Sequence, residues 1–235
     1  MIKHSLKYLT GRLIRPIVQL YLKRDRTYHY QGITVHVSPG VFHPGLFFST
    51  KFLLEYIARF DLKGKALLEL GAGTGLISIF AEKKGAVVTS SDLSNLAIEN
   101  LKKNKSLLQS KNNIVKSDLF DDIAPQSFDF IVINPPYYPG NASSESQLAW
   151  YCGSDFQYFE KLFSQLSGFI HPFSKVILVL SEDCDNMRIS SIAGKYHFLV
   201  EERLRKRFWW EWNYIYEVVQ KKATETTAIM GQFEK

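Results

Sequence analysis

The chain has 235 residues, a length that suits one α/β domain with a small appendage. Its hydrophobic share of 46% and charged share of 22% are typical of a folded globular protein and exclude a largely disordered chain. The formal net charge is +6, and residues 1–26 hold seven basic residues against one acidic residue. The rest of the chain is therefore neutral, which does not indicate a wholly basic, nucleic-acid-binding surface.

Two cysteines, Cys152 and Cys184, stand far apart in the sequence and beside no histidine cluster. This arrangement indicates free thiols rather than a zinc site or a disulfide framework, so we expect a reducing, cytoplasmic location and no metal site. No run of residues approaches 18 apolar side chains. A stable membrane insertion is therefore not expected.

The N-terminal part of the chain has three predicted elements. Apolar residues at spacings of three and four predict a basic amphipathic helix over residues 2–24. Alternating residues 28–37 predict a short hairpin. Ser49 or Thr50 is predicted to cap a helix that ends near Phe60.

From about residue 64, strand and helix patterns alternate, which predicts a parallel sheet covered by helices on both faces. The last two predicted strands follow each other directly and are expected to form an antiparallel pair. The predicted strands are residues 66–70, 86–90, 114–116, 128–133, 175–180, 196–205 and 209–219. The predicted helices are residues 75–84, 95–109 with Ser94 as cap, 155–170 with Ser154 as cap, and 185–193 ended by Gly194, and residues 138–152 are an expected irregular, polar insertion.

A glycine-rich stretch follows the first strand of the predicted sheet and opens a helix at residues 69–75, ELGAGTG. Glycines at such a turn let a ligand approach the backbone closely and expose N–H groups at a positive helix end. A dinucleotide-binding loop reads G-x-G-x-x-G and needs a glycine where Leu76 stands. This departure disfavours a nicotinamide-dependent oxidoreductase.

Acidic residues end three consecutive predicted strands. Asp92 follows Gly71 by 21 residues, and a carboxylate there can accept both hydroxyls of a ribose. Asp118 ends the next strand and can accept a hydrogen bond from an adenine amino group. Each acid alone is more often a solvated loop residue. Together with Glu69 and the glycine loop, however, they predict a nucleoside-binding site.

An apolar strand ends abruptly at Asn134-Pro135-Pro136-Tyr137. Prolines lack the N–H that a central strand needs, so this turn must leave the sheet at its carboxyl edge, where open α/β sheets bind ligands. The Asn134 side-chain oxygen and the Pro135 carbonyl can accept the two N–H hydrogens of a planar amide or amine. The Tyr137 ring can stack on such a planar group.

The glycine loop, the strand-end acids and the N-P-P-Y turn together resemble the class I S-adenosylmethionine-dependent methyltransferases, and within them the N-methyltransferases with this turn. The resemblance covers roughly residues 35 to 220. It implies a Rossmann-like, doubly wound, mostly parallel seven-stranded sheet with a C-terminal antiparallel hairpin, and S-adenosylmethionine as cofactor. It implies as catalytic residues Asn134, Pro135, Pro136 and Tyr137, and as cofactor-binding residues Glu69, Gly71, Ala72, Gly73, Gly75, Asp92, Leu93, Asp118, Leu119 and Asn134.

This resemblance also predicts a division of the chain. Residues 1–63 are then a basic helix, a hairpin and a leading helix. Residues 64–222 are the methyltransferase domain, and residues 223–235 are a tail.

Two stretches are similar to the release-factor glutamine methyltransferases, namely residues 35–44 (VHVSPGVFHP) and residues 150–156 (WYCGSDF). They favour a protein glutamine side chain as acceptor and a release-factor-like protein as partner. A nucleic-acid base amine, adenine N6 or guanine N2, stays open. The basic N-terminal arm and the basic residues from Arg203 to Arg207, beside aromatics, can bind phosphates and stack bases of RNA. A third possibility is a non-catalytic interaction module that keeps the fold, which the intact turn disfavours.

Overall fold

The computed structural model describes residues 22–208 and 211–221, so nearly all of the predicted N-terminal helix lies outside the described residues. The strands are β1 (Arg26–Tyr30), β2 (Ile33–Val37), β3 (Ala66–Leu70), β4 (Val87–Asp92), β5 (Asn113–Lys116), β6 (Phe130–Ile133), β7 (Lys175–Ser181), β8 (Phe198–Phe208) and β9 (Glu211–Gln220). The α-helices are α1 (Phe48–Ile57), α2 (Leu76–Lys83), α3 (Asn95–Leu108), α4 (Gln157–Leu166) and α5 (Asn186–Lys195). Two short 3₁₀ helices span Glu145–Gln147 and Ser167–Phe169.

The strands of the described residues form a two-stranded hairpin, β1–β2, and a seven-stranded sheet in the order β5-β4-β3-β6-β7-β9-β8. The first five strands in that order pair in parallel. Strand β9 lies antiparallel between β7 and β8. The predicted doubly wound, mostly parallel sheet with a C-terminal antiparallel hairpin is therefore confirmed. The strand order reverses between β3 and β6, where open sheets of this kind form a ligand-binding crevice.

Helices cover the sheet on both faces because the residues of its central strands are apolar on both sides. All four residues of β6 are buried. One face packs against α4 and α5. The other face packs against α1, α2 and the β1–β2 hairpin, so these N-terminal elements share a hydrophobic core with the sheet.

Helix α1 lies on that second face and is attached to the sheet by more than apolar packing. Leu53, Leu54 and Ile57 are fully buried in the core that α1 shares with the sheet. Near its carboxyl end, the Tyr56 hydroxyl donates a hydrogen bond of 3.0 Å to a carboxylate oxygen of Glu217 on β9. The helix is therefore held in a defined orientation above the sheet.

One predicted N-terminal helix cap is confirmed and two are wrong. Ser94 accepts a hydrogen bond from the Ala97 N–H at the start of α3, as predicted. The N-cap of α1 is Phe47, which has no side-chain cap, so Ser49 and Thr50 lie inside the first turn instead. The hydroxyl of Ser49 is engaged elsewhere, in a contact with Asn134.

Helix α4 begins later than predicted. Its N-cap is Phe156, with a left-handed backbone at φ 62°. Residues 153–156 form a turn in which the Phe156 N–H donates to the Gly153 carbonyl, and Ser154 hydrogen-bonds to Asp155, so Ser154 is not the cap. Gly194, predicted to end α5, lies inside that helix instead.

A membrane span is not found in the described ranges. No helix within residues 22–208 and 211–221 combines the length and the hydropathy needed to cross a bilayer.

Candidate active site

A cavity opens at the carboxyl ends of β3, β4 and β6, where the strand order reverses. The glycine loop, the strand-end acids and the N-P-P-Y turn meet on its wall, as expected for the carboxyl edge of a parallel sheet. The predicted site residues that line it are Glu69, Gly71, Ala72, Gly73, Asp92, Leu93, Asp118, Leu119, Asn134, Pro135, Pro136 and Tyr137.

The glycine loop presents its backbone to the cavity, and its first and last glycines have different surroundings. At Gly71, with φ +70°, an added Cβ would meet no atom within 4 Å, because the position borders open cavity space. At Gly75, with φ +73°, an added Cβ would lie 2.6 Å from a methyl carbon of Leu101. Gly75 does not line the cavity, and its conformation serves the start of α2 instead.

Glu69 fastens the first turn of α2 beneath the glycine loop. One of its carboxylate oxygens accepts hydrogen bonds from the Ser78 N–H at 2.8 Å and from the Ser78 hydroxyl. Burial raises the pKa of Glu69 to about 8, against the opposing effect of the two hydrogen bonds from Ser78. The side chain therefore supports the loop from within the core.

Asp92 is held in a fixed orientation at the end of β4. Its Oδ2 accepts the Gly73 N–H and its Oδ1 accepts the Ser94 N–H, both at 2.9 Å. Burial raises the pKa of Asp92, against the lowering effect of these backbone hydrogen bonds. Each oxygen still has a lone pair for a further donor, so the carboxylate fits the two hydroxyls of a ribose.

The carboxylate of Asp118 is engaged by a lysine that no sequence pattern singles out. Lys161 Nζ, on α4, lies 2.5 Å from Asp118 and 2.6 Å from Asp121. The lysine and Asp118 are 43 residues apart, so no local pattern connects them. Asp118 keeps its position on the cavity wall and is oriented there by a charge-assisted hydrogen bond.

The N-P-P-Y turn is anchored by contacts with two other elements. Asn134 Nδ2 donates a hydrogen bond of 3.2 Å to the hydroxyl oxygen of Ser49 on α1. Tyr137 packs against the hydrophobic core that includes β7, and burial raises its pKa far above the ordinary value. The Tyr137 hydroxyl therefore stays protonated, and its ring is held in place.

Three aromatic rings from two segments close the side of the cavity near α1. The Phe42 and Phe47 rings stack at 4.8 Å, and Trp150 lies 5.5 Å and 4.9 Å from them. Phe42 and Trp150 line the cavity. Phe48 does not join this cluster and stacks on Phe208 at 4.6 Å.

The insertion at residues 138–152 is more ordered than its polar sequence suggests. Its two ends pair through bridges between Tyr138 and Tyr151 and between Gly140 and Gly153. At its middle, Glu145 accepts hydrogen bonds from the cap of α3 and from the first two residues of that helix, close in the chain to Asp92. Its donors are Ser94 Oγ at 3.1 Å, Asn95 Nδ2 at 2.7 Å and the Leu96 N–H at 3.2 Å.

The basic stretch of β8 is largely paired with acidic side chains. The ion pairs are Arg203 with Glu201 at 2.7 Å and with Glu217 at 3.0 Å, Arg205 with Glu202 at 2.9 Å, and Lys206 with Glu55 at 2.8 Å. Arg207 instead lies over the ring of Trp212, at 5.9 Å from its centroid.

The family model described as the methyltransferase small domain matches residues 32–151, about half of the chain and all the cavity-lining segments except Tyr158. The chain belongs to this family. S-adenosylmethionine is the cofactor of this methyltransferase domain. The cavity fits that molecule, because Gly71 leaves open space beside the backbone and Asp92 keeps acceptor lone pairs on the wall.

Two curated relatives carry different substrates in their names. A Methanocaldococcus jannaschii protein, named provisionally as a protein N5-glutamine methyltransferase, is 37% identical over 110 residues, which are 46% of this chain and 53% of the relative. The ribosomal RNA small subunit methyltransferase C of Haemophilus influenzae is 36% identical over 121 residues, 49% of this chain and 36% of the relative. The methyltransferase small domain protein described here thus spans about half or less of the length of these relatives.

A solved structure supports the same fold. The 16S rRNA methyltransferase of T. thermophilus, in complex with AdoMet and guanosine, has a TM-score of 0.60 at 20% identity. The match covers 85% of this chain and 50% of that one.

Proposed function

We propose that this protein transfers a methyl group from S-adenosylmethionine to the planar N–H₂ group of a protein glutamine side chain. The observation that carries the proposal is that the Asn134–Tyr137 turn and the glycine loop border the same cavity. The identity of 37% with the Methanocaldococcus jannaschii protein supports a glutamine acceptor.

The cofactor would be held by the β3, β4 and β5 side of the cavity. The backbone of Gly71, Ala72 and Gly73 would approach its amino-acid portion, and Asp92 would accept its ribose hydroxyls. Asp118, with the neighbouring backbone at Leu119, would receive the adenine. Glu69 holds the loop in place, and Leu93 adds an apolar contact at the wall. When bound, S-adenosylmethionine supplies a methyl group made electrophilic by a positively charged sulfur.

The acceptor nitrogen needs help because its lone pair is delocalised into the amide π system. The Asn134 side-chain oxygen and the Pro135 carbonyl would accept its two N–H hydrogens, which directs the lone pair into the cavity and stabilises positive charge as it develops. Pro136 keeps the turn stiff, and Tyr137 packs on the plane of the amide. In-line positioning of this kind corresponds to about 7–11 kcal/mol of the barrier.

No side chain of the turn needs to act as a strong base. Burial raises the pKa of Tyr137, so its hydroxyl does not ionise near neutral pH. The nitrogen becomes acidic once it is methylated and can release its proton to water. Catalysis in this proposal therefore depends on positioning and on electrostatic stabilisation.

The charges near the turn favour a protein acceptor over a nucleic acid. Burial raises the pKa of Tyr138, which lines the cavity, and the nearby carboxylates of Asp183 and Glu211 raise it further. Arg203, Arg205 and Lys206 are paired with acids. A phosphate backbone, in contrast, is bound by unneutralised lysine and arginine side chains.

A base amine in RNA is the second candidate, and a specific observation favours it. Trp212 is 37% exposed and has the Arg207 guanidinium over its ring, an arrangement that can stack a base and contact a phosphate. The identity of 36% with the ribosomal RNA methyltransferase supports the same candidate. The basic N-terminal arm would add to such binding, although residues 1–21 lie outside the described part of the chain.

Transfer of a radiolabelled methyl group from S-adenosylmethionine into a whole-cell extract tests the proposal. After the reaction, one half of the extract is treated with nuclease and the other with protease. We expect the label to survive nuclease and to be lost with protease. The Asn134→Ala variant, which should still bind the cofactor, is the control for transfer by other enzymes.

The other outcomes discriminate between the candidates. Label that is lost with nuclease would indicate that the acceptor is a base amine and not a glutamine side chain. The non-catalytic interaction module would be favoured if the wild-type protein bound the cofactor but transferred no more label to any fraction than Asn134→Ala does.

A further inference from the structure

Ser49 contacts the residue on which the proposed chemistry depends. It lies in the first turn of α1 and lines the cavity beside Asn134. Its hydroxyl oxygen accepts a hydrogen bond of 3.2 Å from Asn134 Nδ2, although the two residues are 85 apart in the chain. Since the helix N-cap is Phe47, the Ser49 side chain is not needed to cap α1.

A side-chain amide has two ends of opposite hydrogen-bonding character. The oxygen end accepts hydrogen bonds, whereas the N–H₂ end only donates them. If the N–H₂ end of Asn134 pointed towards an acceptor N–H₂ group, donors would face donors and both would remain unsatisfied. The bond from Nδ2 to Ser49 occupies the donor end and leaves the oxygen available to the cavity.

We propose that Ser49 is a positioning residue that holds the Asn134 amide with its oxygen directed at the methyl acceptor. The inference rests on the proposed function, because an N–H₂ acceptor is what requires an oxygen at this point. Ser49 itself touches neither reacting atom in this account. It acts by restricting rotation of the Asn134 side chain.

The serine can do this because its own position is fixed. Helix α1 is anchored by Leu53, Leu54 and Ile57, which are fully buried. The hydroxyl therefore approaches Asn134 from a rigid element, as an effective positioning group requires. The same turn also carries Phe47, whose ring packs on Trp150 and closes this side of the cavity.

The first test measures the hydrogen bond without any acceptor. The full chain, labelled with ¹⁵N and saturated with S-adenosylmethionine, gives side-chain amide signals, and those of Asn134 are the ones that Asn134→Ala removes. We expect Ser49→Ala to shift these signals, whereas Ser49→Thr, which keeps a hydroxyl, leaves them close to wild type. Ser164→Ala is the matched control, because Ser164 is an exposed helical serine on α4.

The second test measures single-turnover transfer of radiolabelled methyl groups into the protease-sensitive fraction of the extract. Ser49→Ala should transfer about fivefold to tenfold more slowly, as expected for the loss of one neutral hydrogen bond. The affinity for S-adenosylmethionine, measured by calorimetry, should stay within about twofold, and Ser49→Thr should restore the rate. In an Asn134→Ala background, Ser49→Ala should have no further effect.

Three results would overturn the inference: unshifted Asn134 signals in Ser49→Ala, an unchanged transfer rate in that variant, or a full additional loss in the double variant. If the wild-type protein transfers no label to protein, the proposed function fails instead. The amide signals then still decide whether Ser49 orients Asn134.

Discussion

The glycine-loop side of the cavity, proposed to hold the cofactor, and the N-P-P-Y side, proposed to hold the acceptor, are built in different ways. We call them the cofactor half and the acceptor half. In the cofactor half, short loops after consecutive strands hold one another, as where Asp92 accepts the N–H groups of Gly73 and Ser94. In the acceptor half, contacts join segments that are distant in the chain, as where Asn134 meets Ser49. The cofactor half therefore depends mainly on local backbone geometry, whereas the acceptor half depends on how separate elements pack.

The largest change in activity that would distinguish the two halves is expected from a substitution at Asn134. Asn134→Ala removes the side-chain oxygen proposed to accept the acceptor N–H, without touching the glycine loop. We expect transfer to fall at least about a hundredfold while cofactor affinity stays nearly unchanged. Kinetics and calorimetry on the same preparation measure both quantities. An equal loss of rate and affinity would contradict the role given to Asn134.

A pair of glycine variants separates ligand contact from backbone geometry within the cofactor half. Gly71→Ala puts a methyl group into open cavity space, and Gly75→Ala drives one against Leu101. Both place alanine at positive φ and should lower the free energy of unfolding by about 1–3 kcal/mol, with Gly75→Ala the more destabilised of the two.

For cofactor affinity, we expect Gly71→Ala rather than Gly75→Ala to be the more strongly impaired variant. Gly71→Ala should bind S-adenosylmethionine about tenfold more weakly or worse, since only this methyl group competes for ligand space. Gly75→Ala should bind nearly as well as wild type once folded. Denaturant unfolding and calorimetry give the two measurements, and equal affinities would break the distinction between the two glycines.

The pH dependence of stability tests the buried support of the glycine loop. The pKa of Glu69 is raised from 4.5 to about 8, so between those values the folded protein binds more protons than the unfolded chain. Its contribution to the free energy of unfolding is therefore present at low pH and falls as pH rises through this window. The slope is at most about 1.4 kcal/mol per pH unit.

Glu69→Gln, which cannot ionise, is the reference for that measurement. Denaturant unfolding of both proteins from pH 5 to pH 8 should show wild type losing stability relative to the variant. A difference that stays constant with pH would mean that Glu69 is already ionised at the lower end.

The smallest change in cofactor affinity is expected from a substitution at Glu145, where the insertion at residues 138–152 contacts the start of α3. Glu145→Ala removes the hydrogen bonds to Ser94, Asn95 and Leu96. Because two of these bonds are exposed and the third is only partly buried, we expect cofactor affinity to fall only about threefold. Glu99→Ala, an exposed acid on the same helix, is the matched control. If Glu145→Ala and Glu99→Ala had the same cofactor affinity, Glu145 would have no role in cofactor binding.

In the cofactor half, the sequence predicted most of the residues that line the cavity, because the geometry there is local. Glycines at positive φ, an acid at a strand end and the Ser94 cap each act within a few residues of a recognisable turn. Gly75 shows the limit of that reasoning. Its glycine pattern matched a binding loop, but its conformation serves the packing of α2 against Leu101.

The acceptor half was only partly predictable. The prolines showed where the turn must leave the sheet. No spacing in the sequence, however, connects Asn134 to Ser49, and the contact exists only once the sheet has formed. The pair of Asp118 and Lys161 is the same kind of long-range contact within the cofactor half, and it was not predicted either. The misplaced cap at Ser49 has the same origin, since a serine near a helix start is equally able to bind a distant partner.

The attachment of α1 at two points has a consequence for how motion reaches the turn. Ser49 and Tyr56 lie on the same face of the helix, two turns apart, or about 10 Å along its axis. One is tied to β6 through Asn134 and the other to β9 through Glu217. The helix therefore couples the two strands as a rigid body. A movement of β9 that tilts the helix at Tyr56 would also displace Ser49 and, through it, the Asn134 side chain.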